Sequence, residues 1–155
     1  KKKHIEEVYE VLESFGDDEI FVAGGDLNAI PPDEITSDFC LADICNDESY
    51  HTDTSGGPHK EGSYFTTELG LIQPFYDNPK FFSAIPQDKK NQSINFTHST
   101  WNINYEIRDL HEDYWDRKLD YIFTNALDGF SDYLTHQSVY QLSDHAPVSA
   151  TLVLP

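Results

Sequence analysis

Several residue types are scarce or missing in this chain of 155 residues, and each absence excludes something. The chain contains no Met, so we expect it to be a piece of a longer protein. Cys40 and Cys45 are too few for a disulfide scaffold; they could pair across a short loop or remain two partly buried thiols. No apolar run approaches the roughly 20 residues that span a bilayer, so no transmembrane segment is predicted. No signal peptide opens the chain. Because we expect a piece of a longer protein, this gives no information on the cellular location of the parent.

Basic residues are also scarce. The chain has 10 Lys and Arg residues and 28 Asp and Glu residues, which gives a formal net charge of −18. After Lys3, the next basic side chain is Lys60. Such a surface repels nucleic acid and anionic membranes at long range, and the basic footprint of a polyanion-binding protein is missing. The simplest explanation of this negative charge is solubility or adaptation to a salty medium.

The regular patterns that are present favour an α/β fold. Ile5, Val8, Leu12 and Phe15 recur at helical spacing and predict an amphipathic helix that ends near Gly16. Short apolar or alternating runs predict strands, and these are Ile20–Ala23, Ile94–Thr97, Leu119–Phe123, Tyr133–Tyr140 and Val148–Leu154.

The region 31–91 shows no sustained period. Pro, Gly, Asp and Ser are scattered through it, and Gly56-Gly57-Pro58 and Gln73-Pro74 are typical of turns. Long irregular connections in compact domains are often binding loops. We therefore expect this region to be irregular and to determine substrate specificity.

Three short motifs carry polar residues to the ends of predicted strands. They are Gly25-Asp26-Leu27-Asn28, Arg117-Lys118-Leu119-Asp120-Tyr121-Ile122-Phe123 and Ser143-Asp144-His145-Ala146-Pro147. Each alone has a simple explanation as a loop cap, a surface ion pair or a turn. Carboxylates beside buried strands are costly unless they are paired, hydrogen-bonded or metal-bound. Together, the three motifs predict one convergent site.

This set of motifs resembles the endonuclease/exonuclease/phosphatase superfamily, which includes apurinic endonucleases, pancreatic-type deoxyribonucleases and neutral sphingomyelinases. Its late motifs are GDxN, a basic-x-Asp-Tyr strand and SDHxP, and all three occur here in family order. The resemblance implies an α/β fold that is half of a four-layer sandwich, with flanking helices and a mixed, mostly antiparallel sheet. Residues 1–155 would be the C-terminal portion of a single domain. The missing N-terminal half would supply an early Asn and a metal-binding Glu, neither of which is found here.

The resemblance also implies a metal-dependent hydrolase of phosphoester bonds. His145 would be the general base or the group that steers the attacking water, and Asp120 would orient its imidazole. Asp144 would be a ligand of Mg²⁺ or Mn²⁺, since hard cations prefer oxygen. Asp26 would act on the nucleophile or the leaving group, and Asn28 would hold a phosphate oxygen.

Two further residues are candidates for substrate binding. His98 would contact the phosphate, although an exposed loop His is an equal alternative, and Trp101 would be a platform or a packed core residue. The substrate would be a small phosphodiester, a phospholipid head group or a nucleic acid. An inactive relative that binds a phosphate ligand or a protein is the main alternative, and a structural domain with chance motifs is another.

Overall fold

The computed structural model describes residues 2–16, 18–29, 31, 70–90, 92–99, 115, 118–139 and 143–154. The helices and strands in this part of the chain are α1 (Lys2–Glu13), β1 (Val22–Asp26), α2 (Gln73–Asp77), β2 (Phe82–Ser83), β3 (Asp120–Thr124), β4 (Phe130–Thr135) and β5 (Val148–Leu152). Short 3₁₀ turns occupy Gln87–Lys89, Ser93–Asn95 and Gln137–Val139. The strands form two antiparallel sheets, in the orders β1-β3-β2 and β4-β5. The predicted mixture of helices with mostly antiparallel sheet is therefore confirmed at this coarse level.

Helix α1 covers one face of the first sheet. Ile5 and Leu12 are buried in the main core, as the periodicity predicts, whereas Val8 and Phe15 remain 37 % and 38 % exposed. Tyr9 adds edge-on ring contacts to Phe75, with ring centroids 5.2 Å apart. This contact joins α1 to α2, and paired aromatic rings contribute beyond the area that they bury.

The start of β1 lies two residues later than the predicted Ile20. The main-chain groups of Phe21 are taken by side chains from the end of β3. Thr124 Oγ1 donates to the Phe21 carbonyl at 2.6 Å, and Asn125 Oδ1 accepts from the Phe21 N–H at 2.9 Å. Because backbone groups paired in this way cannot join a strand ladder, the ladder begins at Val22.

Residues 70–90 are part of the core, although they lie inside the region predicted to be irregular. Ile72, Phe75, Phe81, Ala84 and Ile85 are all buried. The turn predicted at Gln73-Pro74 is wrong, since these residues begin α2. Proline is tolerated in the first helical turn, where its missing N–H has no intrahelical partner. Residues 32–69 lie outside the described part of the chain.

The strand predicted at Ile94–Thr97 is also wrong. Ser93–Asn95 form a 3₁₀ turn, and side-chain amides satisfy the carbonyls around it. Gln137 Nε2 donates to the carbonyls of Ser93 and Phe96 at 2.7 and 2.9 Å. Because these carbonyls are paired with a distant side chain, they are not available to a strand ladder.

The second face of the β1-β3 pair is partly open. Side chains alternate along a strand, so Tyr121 and Phe123 point into the core under α1, where both are buried. The opposite face carries Val22, which is 56 % exposed, together with the side chains of Asp26 and Asp120. Among the described residues, this face is therefore exposed at Val22 and at Asp26, beside the predicted site. None of the described helices has the length and hydropathy needed to cross a membrane.

Candidate active site

The β1-β3 ladder places two acidic side chains next to each other. Asp26 and Asp120 are direct cross-strand partners in the antiparallel register. Directly opposite residues have Cβ atoms about 4.5–5.5 Å apart, and like charges at such positions are destabilising. This pair therefore costs stability unless another group, such as an imidazole or a cation, interacts with the carboxylates.

The imidazole of His145 is such a group, and it lies on the segment that precedes β5. His98 and His145 form an isolated antiparallel bridge. Two main-chain bonds flank it: the Ala146 N–H donates to the Thr97 carbonyl at 2.7 Å, and the Ser99 N–H donates to the Asp144 carbonyl at 2.9 Å. The Asp-His part of the third motif is thus held against residues 97–99.

Thr97 connects this bridge to the start of β3. Its side chain is fully buried, and its Oγ1 accepts hydrogen bonds from the N–H groups of Leu119 and Asp120, at 2.9 and 3.0 Å. One hydroxyl thereby positions Asp120 relative to the His145 segment. Sequence reasoning missed this role, and the only signal for it was a Thr at the end of the alternating run Ile94–Thr97.

The central contact of the site joins His145 and Asp120. Nδ1 of His145 lies 2.9 Å from Oδ2 of Asp120. An ionised carboxylate can only accept, so Nδ1 carries the proton and Nε2 of a neutral ring holds a lone pair. Nε2 lies 4.0 Å from Oδ2 of Asp26. The His145 side chain is 31 % exposed.

Asp26 and Asn28 form a tight turn at the end of β1. Oδ1 of Asp26 accepts the Asn28 N–H at 2.6 Å, and Asn28 has a positive φ of 51°. Asn tolerates this left-handed conformation better than most residues. A cleft of about 350 Å³ opens beside the turn, and it is lined by His4, Ile5, Val8, Asp26, Leu27 and Asn28.

A buried ammonium group lies behind Asp120. Lys118 is 1 % exposed, its Nζ donates to the Asp120 carbonyl at 2.5 Å, and it lies 4.4 Å from the centroid of the Tyr121 ring. The simple alternative for Asp120 from the sequence was an ion pair with Arg117, which lies outside the described residues, or with Lys118. The structure instead places the ammonium on the main-chain oxygen, while the carboxylate contacts His145.

Asp144 and His98 lie on the other side of His145. Nε2 of His98 is 3.9 Å from Oδ2 of Asp144, and the two imidazole rings meet edge to face with centroids 4.7 Å apart. The Asp144 side chain is 54 % exposed. Mg²⁺ is commonly held by one or two carboxylates while it keeps several waters, so an exposed Asp144 carboxylate fits a hydrated cation of this kind.

The structure therefore brings together six of the seven residues that the sequence singled out. Asp26, Asp120 and His145 form one cluster, and His98 and Asp144 adjoin it through His145. Asn28 contacts this cluster through its main chain. Trp101 lies outside the described residues.

Comparisons with known proteins identify no relative of this chain. No protein-family model matches the chain, and neither a curated protein nor a solved structure matches it.

Proposed function

We propose that this protein hydrolyses phosphoester bonds with the help of a divalent metal ion, in the manner of the endonuclease/exonuclease/phosphatase superfamily. The observation that carries the proposal is the 2.9 Å contact between His145 Nδ1 and Asp120 Oδ2, with Asp26 facing the other ring nitrogen. A carboxylate that orients an imidazole, with the second nitrogen left for proton transfer, is the arrangement that general-base catalysis requires.

His145 accepts the proton of the attacking water in this proposal. The 4.0 Å gap between Nε2 and Oδ2 of Asp26 can be spanned by one water that bonds to both groups, since two hydrogen bonds of about 2.8 Å meeting near a right angle span about 4 Å. As the water attacks phosphorus, its oxygen forms the new P–O bond, its proton moves to Nε2, and the bond from phosphorus to the ester oxygen breaks. The leaving oxygen departs with the electron pair of the broken bond and takes up a proton from the solvent. The negative charge of Asp120 then stabilises the imidazolium that forms.

Asp26 and Asn28 act around the reacting phosphate. The turn fixes the Asp26 carboxylate through Oδ1 and leaves Oδ2 directed toward the water. Asn28 is exposed at the edge of the cleft, where its amide would donate to a phosphate oxygen. A Mg²⁺ or Mn²⁺ ion on Asp144 would neutralise charge that develops on the phosphate.

The fold that we propose for this activity is half of a four-layer sandwich. Its support is the uncovered sheet face that carries Val22 and the carboxylates of Asp26 and Asp120. An upstream half of the same domain would cover that face and complete the metal site. The formal charge of −18 favours substrates with few phosphates over long duplexes, because long polyanions are repelled most strongly.

The test is hydrolysis of bis(p-nitrophenyl) phosphate, with Mg²⁺, with Mn²⁺ and with a chelator, by the purified parent protein, in which the upstream half would complete the metal site. We expect metal-dependent turnover that falls by about 10²–10⁴-fold in His145→Ala, which is the range for loss of a general base. His136→Ala is the matched control, because the His136 ring bonds to Ser149 Oγ at 2.8 Å, away from the cluster. Equal turnover of His145→Ala and the control would refute the proposal.

A further inference from the structure

Three side chains that can bind a metal through nitrogen and oxygen meet at the bridge between residues 97–99 and 144–146. They are His98, Asp144 and His145, and one ligand atom from each lies within 4.8 Å of the other two. We propose that they form a binding site for a borderline divalent cation such as Zn²⁺ or Co²⁺, and that this cation inhibits the hydrolysis. The inhibitory part depends on the proposed function, whereas the binding part does not.

The backbone holds the two imidazoles in place before any ion arrives. His98 and His145 are bridge partners, with main-chain bonds of 2.7 and 2.9 Å on either side. Side chains at directly opposite positions share one face and lie about 5 Å apart at Cβ. The entropic cost of bringing two ligands together is therefore largely met by folding.

The ring of His145 is oriented as a metal ligand usually is. Its Nδ1 donates to Asp120 Oδ2 at 2.9 Å, so Nε2 is the nitrogen available to a cation. Metal-ligating histidines almost always donate their other N–H to a carboxylate or carbonyl, which fixes the tautomer and raises ligand basicity. The same contact that prepares His145 for proton transfer thus prepares it for a metal.

The donor set selects the class of cation. Two imidazoles and one carboxylate suit Zn²⁺, Co²⁺ or Ni²⁺, whereas Mg²⁺ prefers oxygen ligands. His98 Nε2 and Asp144 Oδ2 are 3.9 Å apart, and donors around a tetrahedral Zn²⁺ are about 3.3 Å apart. Rotation of the half-exposed Asp144 carboxylate can close this difference. The carboxylates of Asp26 and Asp120 beside His145 add negative charge that favours a bound cation.

Occupation of this site opposes the proposed hydrolysis for a simple reason. A cation on Nε2 of His145 uses the lone pair that would accept the water proton. It also uses the Asp144 oxygen that would hold Mg²⁺ or Mn²⁺. Zn²⁺ should therefore inhibit turnover even when Mg²⁺ is in excess, because Zn²⁺ binds a nitrogen-containing site more tightly.

The binding test uses the purified protein stripped of metal with a chelator. Co²⁺ is titrated while its visible absorption is followed, and Zn²⁺ is then added to displace it, in the presence of excess Mg²⁺. We expect one ion per chain, and a Zn²⁺ affinity that falls at least about 10-fold in His98→Asn but is unchanged in His136→Asn. Equal affinity in the two variants would overturn the site. X-ray absorption of the wild-type Zn²⁺ complex decides the matter if His98→Asn does not fold: two imidazoles support the site, and fewer overturn it.

The inhibition test is separate from the binding test. Hydrolysis of bis(p-nitrophenyl) phosphate with Mg²⁺ should fall as Zn²⁺ fills the site, at the concentrations found in the binding titration. If Zn²⁺ binds through both imidazoles and turnover persists, the inhibitory part is wrong and so is the assigned role of His145. If the protein hydrolyses the substrate but Zn²⁺ does not bind, the site is wrong and the proposed function is unaffected.

Discussion

Replacing Thr97 by Val should destabilise the protein through the loss of a single oxygen. Thr97 is fully buried, and its Oγ1 accepts the N–H groups of Leu119 and Asp120 at 2.9 and 3.0 Å. Valine has nearly the same shape but no acceptor, so both donors lose their partner. A buried unsatisfied donor costs about 1–3 kcal/mol. Leu119 is buried, while Asp120 is only partly buried and is expected at the lower end. The sum is about 2–4 kcal/mol.

Equilibrium urea unfolding followed by far-UV circular dichroism measures this loss. With a typical slope for a domain of this size, Thr97→Val should lower the midpoint by about 1–2 M. Thr97→Ser is the matched control, because it keeps the acceptor and removes one methyl group at a cost of about 1 kcal/mol. The stabilising role of Thr97 Oγ1 is refuted if the Val variant unfolds at the wild-type midpoint, or if the Ser variant is destabilised as much as the Val variant.

Three further substitutions test other contacts. Asp120→Asn should lower turnover about 10²–10⁴-fold in the phosphodiester assay, because an amide cannot stabilise the imidazolium of His145. Asn28→Gly should lower turnover about 10²-fold by removing one phosphate donor, with little loss of stability in urea, since Gly adopts the positive φ freely. Burial raises the pKa of the Tyr76 hydroxyl from 10.0 to about 12, so the folded protein holds this proton more tightly than the unfolded chain does. The associated stability is full below pH 10 and decreases by about 2–3 kcal/mol as the pH rises through 12, a decrease that Tyr76→Phe should remove from urea midpoints measured across this range.

Each of these predictions has a control or a contradicting result. Asp128→Asn makes the same change in the exposed turn after β3, and an equal loss of turnover in both variants would exclude a special role for Asp120. Asn28→Ala should cost about 1 kcal/mol more than Asn28→Gly, because a Cβ is strained at this φ; equal stability would contradict the turn geometry. For Tyr76, a Phe variant with the same decrease between pH 10 and 12 would assign that decrease to other groups.

Elements with a clear hydrophobic period were predictable from the sequence. Helix α1 was predicted from the spacing of Ile5 and Leu12, both of which are buried, and β3 from its run of apolar and aromatic residues. The start of β1 was not predictable, because the side chains of Thr124 and Asn125, about a hundred residues later, take the main-chain groups of Phe21. Periodicity reports which side a residue faces, but it does not report such distant partners.

The same distinction applies to the site. The sequence pointed to Asp26, Asp120 and His145 because polar residues at strand ends formed ordered motifs, and the structure places these three together. It could not assign Thr97 or Lys118, since both act on main-chain atoms near Asp120. Nor could it place His98 beside His145, because a 3₁₀ turn lies where a strand was expected, and the isolated bridge that joins the two residues follows that turn.

The most direct test of the account is a double-mutant cycle between Asp120 and His145, measured as turnover of bis(p-nitrophenyl) phosphate with saturating Mg²⁺. We claim that the two residues activate water as one unit. When two residues act as a unit, replacing either one removes their joint effect on turnover. The losses measured for the two single variants therefore do not add in the double variant. We therefore predict that Asp120→Asn combined with His145→Ala is no slower than His145→Ala alone. If the two losses instead multiply in the double variant, Asp120 and His145 act independently and the proposed water activation is wrong.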